Sequence, residues 1–183
     1  VALVTVQQLA AWLQRPFAPG EEAAAQMLLD AVSDEVQTYC GWHIAPVITE
    51  TVTVDGSGGV VQPLPTLRLL DIISVTESGT AVDVDGVQWS EAGWMVRPGC
   101  RWTCDLRGIV AEIEHGYTET PPAIVALICG VVARALANPS GVARESSGGE
   151  SITYAVAADG TASLLTGAEM RILDRRYRIP LRA

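Results

Sequence analysis

Five groups of side chains in this sequence have types that chemistry uses. Asp55-Gly56-Ser57-Gly58-Gly59 sets a serine among glycines. A serine nucleophile needs a base within reach and a loop that exposes its hydroxyl. The hydrolase loop of similar composition has Asp directly before Ser, whereas a glycine intervenes here. His43 is not a persuasive base, and a glycine-rich turn explains the stretch without catalysis. Cys100 and Cys104 could share a strand face and, with His43 or His115, hold a metal. The paired short spacing of such sites is missing and Cys100 follows Pro98-Gly99, so partly buried thiols are expected. Glu112 and Glu114 fall on one face of an alternating segment. Paired carboxylates can serve as acid and base, but a solvated sheet face accounts for them more simply. Trp89, Trp94 and Trp102 could form a platform for a sugar or a base. In a chain with one Phe they are expected to fill a β core instead.

The fifth group is Arg171, Arg175, Arg176, Arg178 and Arg182, interleaved with Tyr177, Ile179 and Leu181. Cations near a helix C-terminus suit its dipole. The alternating apolar residues also suggest a tail that docks on a partner. No phosphate-binding loop or dinucleotide fingerprint is present. The sequence therefore predicts no catalytic centre, no cofactor and no metal.

Charge points the same way. The formal net charge is -9, and all 12 basic residues are Arg. Up to Thr120 there are 16 acids and 5 Arg, while Glu169 to Ala183 holds 5 Arg and 2 acids. An acidic body argues against a nucleic-acid-binding surface, which needs a basic patch. The basic end is a candidate contact segment. The four cysteines lie in a core-forming composition that is 49% hydrophobic, which predicts free thiols in a reducing compartment. No basic region precedes an apolar run at the start, so no signal peptide is expected.

These groups must be positioned by two kinds of element. Thr5-Val6-Gln7-Gln8 fits a capping box opening a short helix that stops before Pro16. Pro19-Gly20-Glu21-Glu22 opens a second helix, with a stripe at Ala25, Leu28, Val32, Val36 and Tyr39 and a left-handed cap at Gly41. Thr120 is the expected N-cap of a third, running to Asn138-Pro139. Ile124, Val125, Leu127, Ile128, Val131, Val132 and Leu136 occupy more than one of its faces, so it must be surrounded. Its uncharged run is shorter than the ~20 residues a membrane span needs. It is read as a central helix covered by other helices or by neighbouring subunits.

Between Val47 and Tyr117 the pattern turns to strands, including Glu50 to Val54, Leu67 to Val75, Trp94 to Val96, Arg101 to Leu106 and Ile109 to His115. Ala81 to Val84 and Val87 to Trp89 are expected to pair through an Asp85-Gly86 hairpin turn. Ser140 to Glu150 is expected to be a mobile loop, and Ile152 to Val156 a strand. Thr166-Gly167-Ala168-Glu169 is a second capping box, opening a helix closed by Pro180.

The expected fold class is α+β: a small helical bundle around a buried central helix, an inserted antiparallel β lobe, and an extended C-terminal helix and tail. The domain reading is 1–46 for the first helices, 47–118 for the β lobe and 119–139 for the central helix. A flexible loop with a short strand takes 140–165, and the C-terminal helix with its docking tail takes 166–183.

This layout resembles the head-to-tail adaptor (connector) proteins of long-tailed bacteriophages. The likeness is carried by Val6-Gln7-Gln8-Leu9-Ala10-Ala11-Trp12-Leu13, by the helix ending Val36-Gln37-Thr38-Tyr39-Cys40-Gly41-Trp42, and by Ile113-Glu114-His115-Gly116-Tyr117 leading to Pro121-Pro122-Ala123-Ile124-Val125. Ala133-Arg134-Ala135-Leu136-Ala137-Asn138-Pro139, Ser151-Ile152-Thr153-Tyr154 and Arg175-Arg176-Tyr177-Arg178 complete it. The match covers nearly the whole chain by order and local flavour rather than by one diagnostic motif.

The resemblance implies a virion neck protein that forms a ring, typically of twelve copies, beneath the portal protein. Such a ring extends the DNA channel and presents a platform for the stopper or tail-completion protein. It implies assembly in the host cytoplasm, passage of DNA without sequence-specific binding, and no membrane. Portal contact is carried onto Arg171, Arg175, Arg176, Tyr177, Arg178 and Ile179. The loop residues Arg144, Glu145, Ser146, Ser147, Gly148 and Gly149 are candidates for contact with a neighbouring subunit or the next ring. The alternatives are another virion ring protein, either stopper or tail terminator, or a hydrolase using Ser57 or a centre at Cys100 and Cys104.

Overall fold

The computed structural model describes residues 2–137, 144–147, 150–153 and 164–179. The protein is α+β, with four α-helices among the described residues. The chain divides into two compact units. One comprises Val1–Cys40 and Thr120–Arg176, the other Gly41–Glu119 and Tyr177–Ala183.

The first unit is helical. α1 (Val6–Leu13) is opened by the expected box, in which Thr5 Oγ1 accepts from Gln8 N–H and Gln8 Oε1 accepts from Thr5 N–H. It ends at Gln14 in the left-handed region, at φ 54. α2 (Glu21–Cys40) starts with two acids in its first turn, where the dipole favours them, and gives way to Gly41 at φ +78. Its buried stripe is Ala25, Leu29, Val32, Ser33, Val36 and Cys40. That corrects the expected stripe at Leu28 and Tyr39, which are only partly covered. Ser33 belongs to the inward face because its hydroxyl accepts from Leu3 N–H at 3.0 Å, beside the buried Leu3 and Val4.

α3 (Pro122–Ala137) buries Ile124, Leu127, Ile128, Cys129, Val131 and Val132, and no residue from Ile124 to Leu136 is fully exposed. It packs on α2 and, less extensively, on α1. Thr120 is not its N-cap: the Thr120 hydroxyl donates to Leu3 O at 2.7 Å. Pro121 O accepts from the N–H groups of Ile124 and Val125, and Pro122 occupies the first helical position, where a missing N–H costs nothing. Asn138-Pro139, the expected stop, lies outside the described residues. The sequence predicts a mobile loop at 140–150, but β8 (Arg144–Ser147) and β9 (Glu150–Thr153) pair antiparallel. Tyr154 to Val156, the rest of the expected strand, lie outside the described residues, as does Pro180. α4 (Gly167–Arg176) stops short of Pro180, because Tyr177 already leaves the helix.

The second unit is built from β1 (Ile48–Val54), β2 (Val61–Pro63), β3 (Leu69–Glu77), β4 (Thr80–Val82), β5 (Gln88–Ser90), β6 (Trp94–Val96) and β7 (Ile109–His115). Four make a sheet in the order β1-β7-β3-β4, and three make another in the order β2-β6-β5. All pairings are antiparallel. β7 shows why this stretch forms a strand with one dry face. Ile109, Ala111, Ile113 and His115 are buried, and the alternate residues are only partly so. Val52, Ile72, Val75, Met95 and Trp102 join that side in one core.

Two local expectations fail here, and one strand was not expected. β4 and β5 do not form a hairpin. Val84–Gly86 is a 3-10 turn in which Asp83 accepts from Asp85 N–H, and the two strands pair with β3 and β6 respectively. Arg101 to Leu106 is not a strand, because its backbone bonds to the glycine turn. Gly56 N–H donates to Asp105 O at 2.9 Å, Gly58 to Thr103 O at 2.8 Å, and Trp102 to Gly59 O at 2.8 Å. β2 is too short, at three residues, to stand out in the sequence.

Candidate functional site

The C-terminal helix carries the densest cluster of cations, and its placement is set from beneath. Thr166 and Glu169 form the expected box: Thr166 N–H donates to Glu169 Oε2 at 2.7 Å and Glu169 N–H donates to Thr166 Oγ1 at 3.4 Å. The same carboxylate takes Arg134 of α3 in a two-pronged pair at 2.9 and 3.1 Å. Arg134 also donates to Leu164 O at 3.0 Å, while Leu164 N–H donates to the Glu35 carboxylate of α2 at 3.1 Å. Farther along, Tyr39 OH donates to Asp174 at 2.9 Å, and Leu173 is fully buried. Burial pushes the Glu169 carboxyl up. The hydrogen bonds from Arg134 and Thr166 outweigh it and hold the pKa below the ordinary carboxylate value.

With α4 anchored on that side, Arg171, Arg175 and Arg176 are exposed, and none forms an ion pair among the described residues. Tyr177 is different. It is buried in the β unit, where its carbonyl accepts from Trp42 Nε1 at 2.7 Å, and Trp42 stands beside Tyr117. Arg178 and Ile179 are half-buried. Tyr177 thus docks within its own chain, a use that the alternating pattern of the tail did not reveal. Leu181 and Arg182 lie outside the described residues. So do Gly148 and Gly149 of the candidate contact loop, whose Arg144, Glu145, Ser146 and Ser147 form β8.

The other candidate groups are dispersed. Ser57 Oγ accepts from Gly59 N–H, and its own N–H donates to buried Gln62, so the serine shapes a turn. His115 pairs with Ile48 at one end of β1, and the Ser57 turn follows the other end at Val54. A seven-residue strand puts roughly 20 Å between them, too far for a proton relay. His43 lies on the histidine side as well: its ring is 5.7 Å from that of His115, and its Nε2 meets Pro46 O. His115 is fully buried with Nε2 2.9 Å from Glu50 Oε1. Burial lowers its pKa, Glu50 opposes the shift and His43 adds to it, so the ring is held neutral.

Cys100 and Cys104 are exposed rather than partly buried, whereas Cys40 and Cys129 are buried. Among the described residues no three His, Cys, Asp or Glu side chains gather as a metal requires. Glu112 and Glu114 lie on the outer face of the four-stranded sheet, across from Thr51 and Thr49. Of the three tryptophans expected in the core only Trp102 is there; Trp89 and Trp94 are 40% and 46% exposed. The strands that carry them are three residues long, and the sheet is too narrow to cover them.

No protein-family profile matches this sequence. No curated protein matches it either. Solved structures do. The fold is shared with a chain in the neck of a native gene transfer agent (GTA) particle computed with C12 symmetry, at a TM-score of 0.57 and 12% identity, covering 99% of this chain and 96% of that one. A chain in the neck of an empty GTA particle computed with C6 symmetry matches at a TM-score of 0.61 and 14% identity, covering 98% and 91%. A chain in the virion of a native GTA particle matches at 0.58 and 15%, again covering 98% and 91%.

Proposed function

We propose that this chain is a structural subunit of the neck of a phage-like particle, repeated in a ring that joins head to tail. The observation that carries this reading is the end-to-end likeness, at 98–99% of this chain, to chains of symmetric GTA necks. Within the neck, the reading that fits best is the adaptor beneath the portal, with the helical unit organised around α3 and no catalytic role. Its carboxylate-rich body suits a conduit along which DNA slides, because like charges keep phosphates from adhering.

The portal-facing surface is assigned to Arg171, Arg175 and Arg176, which α4 presents to solvent. Tyr177, Arg178 and Ile179, which belong to the other unit, are proposed as further portal contacts. The β8–β9 hairpin is assigned to contact with a neighbouring copy or the next ring.

The test is to mix the purified chain with portal rings and image the product by electron microscopy. The expected result is a collar of copies on the portal. A folded chain that stays monomeric and ignores the portal would overturn the proposal. Joint reversal of Arg171→Glu, Arg175→Glu and Arg176→Glu is expected to leave the circular dichroism unchanged and abolish docking. Undiminished docking would refute the arginine assignment alone. Truncation after Asp174 is a poorer test, because it also removes the partner of Trp42.

A further inference from the structure

We infer that the exposed face of α4 recognises a carboxylate-bearing segment of the portal that carries an apolar side chain among its acids. This rests on the reading above, in which the face meets the portal, and it names the chemistry of what is met. With 3.6 residues per turn, Arg171, Arg175, Ile172 and Arg176 fall in that order around one arc of roughly 140°. All four are exposed, and buried Leu173 lies outside the arc. Ile172, 48% exposed, therefore stands among three guanidinium groups.

The chain keeps this face cationic. Arg15, Arg68, Arg97 and Arg134 each pair with a carboxylate of their own chain. Arg171, Arg175 and Arg176 pair with none among the described residues. The acids of α4 do not neutralise them, because both are engaged elsewhere. Glu169 is held by Arg134 and Thr166, and Asp174 accepts from the Tyr39 hydroxyl. Arg101 and Arg107 also lack an ion pair, but they lie in a loop of the β unit and share no helix face. Like charges one turn apart repel, and carboxylates facing them relieve the strain. Arg grips a carboxylate in a two-pronged bond, which gives direction as well as charge. Ile172 decides between the anions. A nucleic-acid backbone offers phosphate and sugar to such a face and nothing apolar for a central isoleucine. A protein contact has the matching anatomy, an apolar centre inside a polar rim.

The experiment places a benzophenone amino acid in place of Ile172 in the full chain, mixes it with portal rings and duplex DNA, and irradiates. The expected adduct lies on a portal segment with Asp or Glu within about four residues of the linked position, the reach of one helical turn. An adduct on a portal segment without acids, on another copy of this chain or on the DNA would overturn the inference. So would docking, seen by electron microscopy, without any adduct. Each of these outcomes leaves the portal reading standing. If the unaltered chain does not dock at all, the portal reading fails and this inference with it. A salt titration of the unaltered chain supplies a second measurement. Raising salt from about 0.1 M to about 1 M cuts the screening length from roughly 10 to 3 Å. Docking should weaken at least tenfold over that range, and docking indifferent to salt would refute the acidic partner. Where the substituted chain fails to fold or dock, the titration decides.

Discussion

Replacing Arg134 by Met removes the guanidinium that ties α4 to α3 while keeping most of the apolar stem. Three hydrogen bonds are lost, two to Glu169 and one to Leu164 O. An exposed pair of this kind is worth at most ~1 kcal/mol, and breaking a fully buried one costs ~3–5 kcal/mol. Here the side chains are 24% and 16% exposed, which places the pair between those limits. Glu169 is not orphaned, because Thr166 still donates to it through N–H and hydroxyl. The expected loss is therefore about 2 kcal/mol, or roughly 4–8 °C in Tm for a chain of this size.

The assay is urea and thermal unfolding followed by far-ultraviolet circular dichroism, which is dominated by the helical unit. Glu169→Gln and the double variant complete a cycle with an expected coupling of about 1 kcal/mol or more. The pH dependence adds a check of sign. The carboxyl pKa of Glu169 is depressed on folding, so the contribution is present above its ordinary 4.5 and fades as pH falls through the folded value. Wild type and Arg134→Met should converge in acid. A loss below ~0.5 kcal/mol at neutral pH, or an additive cycle, refutes the idea that this pair anchors the cationic helix.

Other expectations follow from single features. His115 is neutral when folded, with its pKa lowered from the ordinary 6.5. Stability should therefore fall as pH drops below that value, where the unfolded chain takes up the proton first. His115→Gln should flatten the fall, and an unchanged pH profile would argue against the assignment. A thiol reagent should label Cys100 and Cys104 quickly in the native protein, and Cys40 and Cys129 only on unfolding. Burial also raises the Cys129 pKa and slows it further; four fast thiols would contradict the packing. Gly93→Ala should cost ~2 kcal/mol or more by chemical unfolding. Its backbone is at φ +76, and a Cβ there would lie 2.3 Å from Thr66 O. Ile128→Ala, at a fully buried position of α3, should cost ~2–5 kcal/mol by the same measurement, and a loss under 1 kcal/mol would deny the helix its dry environment.

Elements whose signals are local were legible in the sequence. The boxes at Thr5 and Thr166 involve residues three apart, and each is formed. The alternation from Ile109 to His115 became β7 because one side of that strand meets a single core. What failed depended on distant partners. The strands at Thr80–Val82 and Gln88–Ser90 joined different sheets, since three-residue strands take their place from neighbours rather than from propensity. The α2 stripe kept Ala25, Val32 and Val36 but took in Leu29, Ser33 and Cys40 instead of Leu28 and Tyr39, and Ser33 meets its partner Leu3 from 30 residues away.

The candidate site was legible in part. The exposed arginines of α4 are evident from composition, and Arg134 with Glu169 could be guessed only as charges near helix ends. The Trp42 bond to Tyr177 spans 135 positions and leaves no trace in either local pattern. That Val61, Pro63, Trp94 and Val96 share one side of the three-stranded sheet emerged only from its register.

Buried Gln62 has one further consequence. Its amide accepts from Ser57 N–H at 2.7 Å and donates to the carbonyls of Asp55 and Pro63 at 3.0 and 3.2 Å. The glycine turn is therefore held from the interior, and Ser57, its exposed member, contributes only a weak bond of its own to Gly59. A short epitope or dye could be installed there with little disturbance of the scaffold, whereas the outwardly harmless exchange of Gln62 for Leu would strip Ser57 N–H and the Asp55 carbonyl of their partner and leave the bend to its backbone bonds with Thr103 and Asp105.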